Sequence, residues 1–410
     1  MRIFKLKNTI QEYAWGSKTI IPELLGKTSP AEKPQAELWM GAHPKAPSVI
    51  LQDGKEISLA NHIKQDPKGI LGQEVAEIFD DKLPFLFKVL AAETPLSIQA
   101  HPNLLQAKEG YKRENEQSIP VDSTRRNYKD ANHKPELICA LTTFDAMCGF
   151  RNYSEMCDLF QFLQLQKNIP EIETFIQNPT GRSLQILFKE LMELSEKRKK
   201  EAVDLLLERC KKITPRTDEE RFIFQWINKL SQIYPGDIGI FAPLLLNTIR
   251  LQPGQALYLD AGILHAYLKG AGIEIMANSD NVLRGGLTPK HIDVPELMKT
   301  LSFSAKPLEI IEPVSFDDVE FIYDTPAYEF RLSIIKLTES IKFYNAKKRS
   351  GAEIILCRTG FAEIEWDREE KLTLKKGESI FIPFSAGKYK IEGKAVLYRA
   401  TIPVPGTKKK

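Results

Sequence analysis

Four residues in three short clusters have the side-chain types that hold a metal. They are Gln99 and His101 in PLSIQAHPN, Glu136 in NHKPELICAL and His265 in LDAGILHAYL. Gln99 and His101 stand two residues apart, so on one strand both side chains point to the same face. Pro102 ends the pairing there, as suits a strand leaving a barrel rim. Glu136 follows Pro135 and opens the apolar run ELICAL, and His265 is expected in the turn after the strand LYLDAG. Two imidazoles and one carboxylate leave coordination positions open for water or substrate, as catalytic zinc sites do. A neutral Gln oxygen leaves the ion more electrophilic than a second carboxylate would. The same residues also fit a plainer arrangement, with His101 and His265 hydrogen-bonded inside a barrel and Glu136 in a salt bridge. His133, three residues before Glu136, is a further imidazole that can replace one of the four.

Other ionisable groups stand near these clusters. Lys88 alternates with apolar residues in LPFLFKVLA and is expected to point inward or at a rim. A lysine there needs an anion, either an internal carboxylate or a substrate phosphate. Arg284 precedes Gly285 and Gly286, where backbone approaches a ligand closely. It either steadies an anion or orders its own loop. Glu274 is a candidate to move a proton inside the barrel. Asp280 either does the same or caps a turn. Lys269 and Lys290 read as surface charges, and His43, His62 and His291 as structural.

The elements that must position these groups change character along the chain. Residues 1–150 carry short β-rich runs such as Leu83–Ala91, separated by Pro, Gly and Asn turns, with a helical interlude over 60–80. From Ser154 to Tyr234 the period becomes helical. Leu184, Leu187, Phe188, Leu191 and Leu194 form one apolar stripe, and Val203, Leu206, Leu207 and Cys210 form another. Asp218 and Glu219 open a further helix, which Pro235–Gly236 stops. From Thr248 the β character returns. The segment LQPGQALYLDAG (251–262) is echoed by LKKGESIFIPFSAG (374–387), each with a Gly turn, a strand and a small-residue turn. Aligning Gly254 with Gly377 sets His265 against Lys388, so the second copy lacks that metal ligand. The fold class expected is mainly β with a helical insertion: two cupin-type jelly-roll β-barrels plus an α-helical subdomain. Residues 1–151 and 236–320 would form the first barrel, 152–235 the helical insertion and 321–410 the degenerate second barrel.

At 410 residues the chain is long enough for two or three cores. Its 42% apolar and 27% charged residues are those of a globular protein. A net charge of +3 argues against a dedicated nucleic-acid binder, and no apolar run is long enough for a membrane span. Five cysteines without CxxC spacing read as free thiols in a reducing cytoplasm. The closing Lys408–Lys410 read as a solvated tail, and no Gly-rich nucleotide loop is present.

Together, EYAWGS (12–17), AELWMGAHPKAPS (36–48), LPFLFKVL (83–90), the three ligand clusters, FDAMCGFR (144–151) and the long segment 259–293 resemble the type I phosphomannose isomerases, zinc enzymes of the cupin class. The resemblance spans nearly the whole chain in the family's order. It implies one Zn2+ per chain on Gln99, His101, Glu136 and His265. It implies Arg284 in catalysis, Glu274 and Asp280 as carboxylate candidates for the proton transfer with His133 or a zinc-bound water as the alternative, and Lys88, Lys134 and Ser97 as substrate-binding residues, with Lys88 and Arg284 the candidates for holding the phosphate. The implied reaction interconverts mannose 6-phosphate and fructose 6-phosphate through a cis-enediol, in a cytoplasmic monomer whose partner is a small phosphorylated sugar rather than nucleic acid or membrane. The polar stretch 104–130 is expected as a mobile flap, with Arg125 and Arg126 either gathering substrate or solvated. An iron-dependent cupin oxygenase and a non-catalytic sugar-binding cupin are the competing classes. Two His and a carboxylate also serve Fe(II), but an oxygenase has no general need for a phosphate clamp.

Overall fold

The computed structural model describes residues 2–403 apart from 53, 306, 347–348 and 368–369, so the lysine tail lies outside the described residues. Among the described residues, two large antiparallel sheets, a two-stranded ribbon of Val49–Gln52 with Lys55–Ser58, and a helical block organise the chain. The first sheet has ten strands, with a path from Leu246–Leu251 through Phe144–Phe150, His265–Ala277, Phe85–Ala92 and Glu37–Gly41 to Thr9–Gln11. Its hub is His265–Ala277. The first part of this strand pairs with Phe144–Phe150 as far as Lys269. From Gly270 onward it pairs with Phe85–Ala92 and, from Gly272, with Glu136–Ala140 as well. The changeover is marked by a register shift between Tyr267 and Lys269 and by Gly270 at φ +127°. A Cβ on Gly270 would lie 2.6 Å from the Thr143 carbonyl oxygen, so only glycine allows the two backbones to approach this closely.

Phe85–Ala92 is buried at every position. One face of it turns to the barrel interior and the other to the second barrel, which is why its sequence is a continuous apolar run and not an alternation. The shared core joins Phe85, Phe87, Val89, Ile273 and Ile275 of the first sheet to Phe330, Ile334, Ile354 and Phe381 of the second. Across the same junction the Tyr323 hydroxyl donates to the Gly254 carbonyl at 2.7 Å.

The helices between Tyr153 and Leu245 form their own core, and the predicted stripe Leu184, Leu187, Phe188 and Leu191 is buried in it. Thr180 and Thr217 cap the helices Gly181–Glu193 and Asp218–Ile233, the second with three acids in its first turn. This core continues onto Ile98, Leu264 and Leu283. Each of those is the immediate neighbour of a candidate site residue: Gln99, His265 and Arg284. The helical block therefore buttresses the strands that carry the site.

The second sheet has nine strands, including Glu353–Trp366 and Tyr389–Thr401 at its centre. It also takes in Phe4–Lys5, which pairs with Ser379–Ile382 and ties the start of the chain to its last barrel. The internal repeat is present in the backbone. Gly254 (φ +95°) and Gly377 (φ +83°) each precede a four-residue strand, Ala256–Leu259 and Ser379–Ile382. Each of those leads to a 13-residue strand, His265–Ala277 or Tyr389–Thr401. Lys388 stands just before the latter, as the alignment placed it.

The stretch 104–130, expected as a mobile flap, carries a helix and buried polar contacts. Leu104–Glu116 is a 13-residue helix with an Asn103/Gln106 capping box. Arg126 is buried, donating to the carbonyls of Tyr128 and Ile119 and lying 3.0 Å from Glu114. It is committed to structure and does not gather substrate.

Candidate metal centre

Four strands converge on one point of the first barrel. Gln99, in Ile98–Ala100, stands in register with His265 on one side and Arg284 on the other. His265 opens its long strand and does not lie in the preceding turn, because the turn Asp260–Leu264 is completed one residue earlier. Glu136 opens its strand in register with both Leu259 and Met276. His101 follows Ala100 directly.

The donor atoms of His101, Glu136 and His265 lie within 4.8 Å of one another, and all three residues are buried. Each imidazole donates its Nδ1–H to a backbone carbonyl, His101 to Asn281 at 2.7 Å and His265 to Ile263 at 2.9 Å. That fixes both rings with Nε2 as the bare nitrogen. The two Nε2 atoms and Glu136 Oε2 are buried without a hydrogen-bond partner among the described residues. Nε2 of His101 and His265 stand 3.5 and 3.6 Å from the Glu136 oxygens. Ligands sharing a tetrahedral ion at about 2.1 Å are about 3.4 Å apart. Orphaned acceptors are costly in a protein interior unless something completes them, so this set fits a divalent metal. Burial lowers the His101 imidazole to about 4, keeping it neutral as a ligand must be. Burial pushes the Glu136 carboxyl up, but Lys134 and His101 outweigh it and hold it well below the ordinary value.

The surrounding groups fall into two sets. Lys88 is buried, 2.8 Å from Glu274 and 3.5 Å from Glu37, with its amine over the Trp39 ring. Burial alone would lower it, but Glu274 and Glu37 outweigh that and hold it protonated. Glu274 is raised by burial against the pull of Lys88. Lys134 meets Glu136 Oε1 at 2.7 Å. Ser97 is half-buried just before its strand. Toward the mouth, Asp280 pairs with Lys45 at 2.9 Å and lies 3.7 Å from His43. Burial lowers that imidazole to about 4. Arg284 is half-buried and has no carboxylate partner among the described residues; burial pulls it below its ordinary value. Lys129 and Lys290 feel its charge, so the neighbourhood favours an anion. His133 donates from Nε2 to Glu329 Oε1 at 2.5 Å.

Several of these residues are invisible to spacing. Glu37 reads as an ordinary strand residue. Tyr267 reads as a core aromatic, yet its hydroxyl is buried without a partner among the described residues, and its ring lies 6.0 Å from His265. Burial, reinforced by Glu274, keeps that hydroxyl protonated. Glu329 comes from the far barrel, where nothing in its own segment points to a site.

A buried two-His, one-carboxylate cup inside a jelly-roll barrel defines a metal-binding cupin. Family models narrow the class. Residues 3–153 match the catalytic domain of phosphomannose isomerase type I, residues 162–246 its helical insertion domain, and residues 325–402 the cupin domain of mannose-6-phosphate isomerase. The mannose-6-phosphate isomerase of Escherichia coli K12 is 42% identical over 398 residues, covering 96% of this chain and 98% of that one. The Homo sapiens protein of the same name is 37% identical, covering 88% of each chain. A crystal structure of a zinc-bound mannose 6-phosphate isomerase is 40% identical with a TM-score of 0.91, covering 98% of this chain and all of that one. The chain belongs to the type I phosphomannose isomerase family.

Proposed function

We propose that the protein interconverts mannose 6-phosphate and fructose 6-phosphate through a cis-enediol, with one zinc ion held by Gln99, His101, Glu136 and His265. The observation that carries this reading is the set of three buried, unpartnered donor atoms on His101, Glu136 and His265, in a chain 42% identical to a mannose-6-phosphate isomerase over nearly its full length. Bound there, zinc supplies the Lewis acidity that makes the sugar's C2 proton removable.

The chain's own residues do the rest. Arg284, half-buried and without a counter-ion among the described residues, takes the anionic charge of the substrate at the mouth, with Lys129 and Lys290 reinforcing the field. Lys88 is committed to Glu274 and Glu37, so it reaches substrate as part of that buried triad and not as a free phosphate clamp. Lys134 and Ser97 flank the sugar from the Glu136 and Gln99 sides. Of the proton carriers, Asp280 is held low by Lys45 and His43 against the opposing effect of its burial, and Glu274 is tied to Lys88. His133 has a ring nitrogen, Nδ1, with no partner among the described residues, and it is the base of this proposal. Its lone pair takes the proton from C2. The C2–H electrons form the C1–C2 double bond, the C1=O pair moves onto the aldehyde oxygen, and that oxygen takes up the proton of the adjacent C2 hydroxyl. The proton held by His133 then returns to C1 as the deprotonated C2 oxygen becomes the ketone. The same reading includes action as a monomer and a cytoplasmic location, the latter supported by five unpaired cysteines.

The experiment is a coupled isomerase assay with chelator and zinc add-back, beside metal analysis of Glu136→Ala. Activity should vanish with the metal and return with zinc, and Glu136→Ala should lose both. An inactive protein that is folded and zinc-loaded overturns the reading.

A further inference from the structure

The second barrel reaches toward the site through Glu329. Glu329 lies in the connection between the strands Glu320–Tyr323 and Arg331–Leu337, both in the second sheet. It is 7% exposed, and its neighbours Ala327 and Phe330 are part of the core that joins the two barrels. The connection is thereby anchored on apolar contacts. Its carboxylate accepts from His133 Nε2 through Oε1 at 2.5 Å and from the Tyr328 backbone N–H through Oε2 at 3.2 Å. His133 in turn belongs to the segment that leads into Glu136, next to Lys134, whose amine touches Glu136.

We propose that Glu329 is a positioning residue for His133, selecting the imidazole tautomer and ring orientation used in proton transfer. This rests on the reading of His133 as the base. An imidazole whose Nε2–H is donated to a carboxylate keeps Nδ1 as its bare lone pair. The carboxylate also faces the positive charge that the ring acquires while it holds the C2 proton. The proton bound at Nδ1 is the one returned to C1, so nothing beyond substrate is consumed.

A structural ion pair between barrels is the rival explanation, and the surroundings argue against it. The junction is already closed by the shared apolar core and by the Tyr323–Gly254 hydrogen bond. A buried carboxylate is a poor adhesive, because desolvation offsets most of its attraction. An apolar pair at the same place would join the barrels at least as well. The arrangement gives the degenerate barrel a part in catalysis: among its described residues there is no metal-ligand cluster, but it fixes a group that works beside one.

The test uses the zinc-loaded full chain with Glu329→Gln, Glu329→Asp, His133→Ala and the Glu329→Gln/His133→Ala pair. The readouts are kcat, KM, zinc content, thermal midpoint and the 15N imidazole resonances of His133. Glu329→Gln should lower kcat by about 10- to 100-fold, within the range of positioned acid–base groups. KM, zinc content and thermal midpoint should hold. Glu329→Asp should recover part of kcat. The His133 Nδ1 resonance should move from that of an unprotonated nitrogen toward a tautomer mixture, and Glu329→Gln should add no further loss in the His133→Ala background. A Glu329→Gln protein with full kcat and a lowered midpoint, beside an inactive His133→Ala, overturns the positioning role and leaves the base assignment standing. Independent losses that multiply in the double variant also overturn it. A fully active His133→Ala overturns the base assignment and the positioning role together.

Discussion

At the scale of single residues, the site is a set of charges chosen by partner. Lys88 shows this. A buried lysine is held protonated by its partners Glu274 and Glu37, against the burial that would discharge it. Replacing it with Met leaves two buried carboxylates without their cation, which costs about 3–5 kcal/mol. Lys88→Met should therefore lower the thermal midpoint as well as activity, and adding Glu274→Leu should recover part of the midpoint without recovering turnover. Calorimetry of the three proteins checks this. Arg284 is the opposite case. It has no carboxylate partner among the described residues, so Arg284→Met should leave the midpoint nearly unchanged while lowering kcat/KM by about 100-fold or more, as loss of a charge-stabilising donor does. A lowered midpoint with intact kcat/KM would assign Arg284 to its own loop.

At the scale of elements, two features hold the barrels in shape. Gly270 lets the hub strand cross from one set of neighbours to the next. Gly270→Ala forces a methyl against the Thr143 carbonyl, at an expected cost of about 1–3 kcal/mol, and urea unfolding should show it. In the second barrel, Arg399 bridges Glu353 and Glu320 at 2.7 Å each, and Arg349 and the Tyr389 hydroxyl also reach Glu353. Burial would raise the Glu353 carboxyl, but Arg399 and Arg349 outweigh it and bring it from the ordinary 4.5 down to about 2. Between those values the unfolded chain binds the proton that the folded chain refuses. Stability from this group is therefore complete above about pH 5 and is lost as pH falls toward 2, a contribution of about 3 kcal/mol. Glu353→Gln should be less stable at neutral pH and should flatten the acid limb of the stability curve. An unchanged acid limb would remove the network from the account of acid unfolding.

At the scale of the whole molecule, the two barrels share one core. The core between them is continuous, and Phe4–Lys5 closes onto Ser379–Ile382. Calorimetry should give a single unfolding transition, and deletion of residues 2–6 should lower it without touching any site residue. Two separated transitions would show that the barrels unfold independently. The helical block stands behind Gln99, His265 and Arg284 through Ile98, Leu264 and Leu283. Large-to-small changes at those three should loosen the metal cup before they unfold the protein, read as weaker zinc affinity. Among the described residues no helix is long and apolar enough to cross a membrane.

The sequence by itself determined what repeats or alternates locally. The helical stripe through Leu184 and Leu191, the glycine-led repeat at Gly254 and Gly377, and the donor types of Gln99, His101, Glu136 and His265 were all readable from side-chain chemistry and spacing. Those signals act over a few residues, where chain geometry fixes which side chains share a face. Tertiary structure decided which of the groups meet. Lys88 finds Glu37 and Glu274, His133 finds Glu329 196 residues away, and Arg126 turns inward to carbonyls while Arg284 has no carboxylate partner among the described residues. No local rule distinguishes these cations, because burial and the identity of a partner across a barrel are set only when the sheets close. The physical reason is that a charge's role depends on the field around it, and most of that field comes from residues far away in the chain.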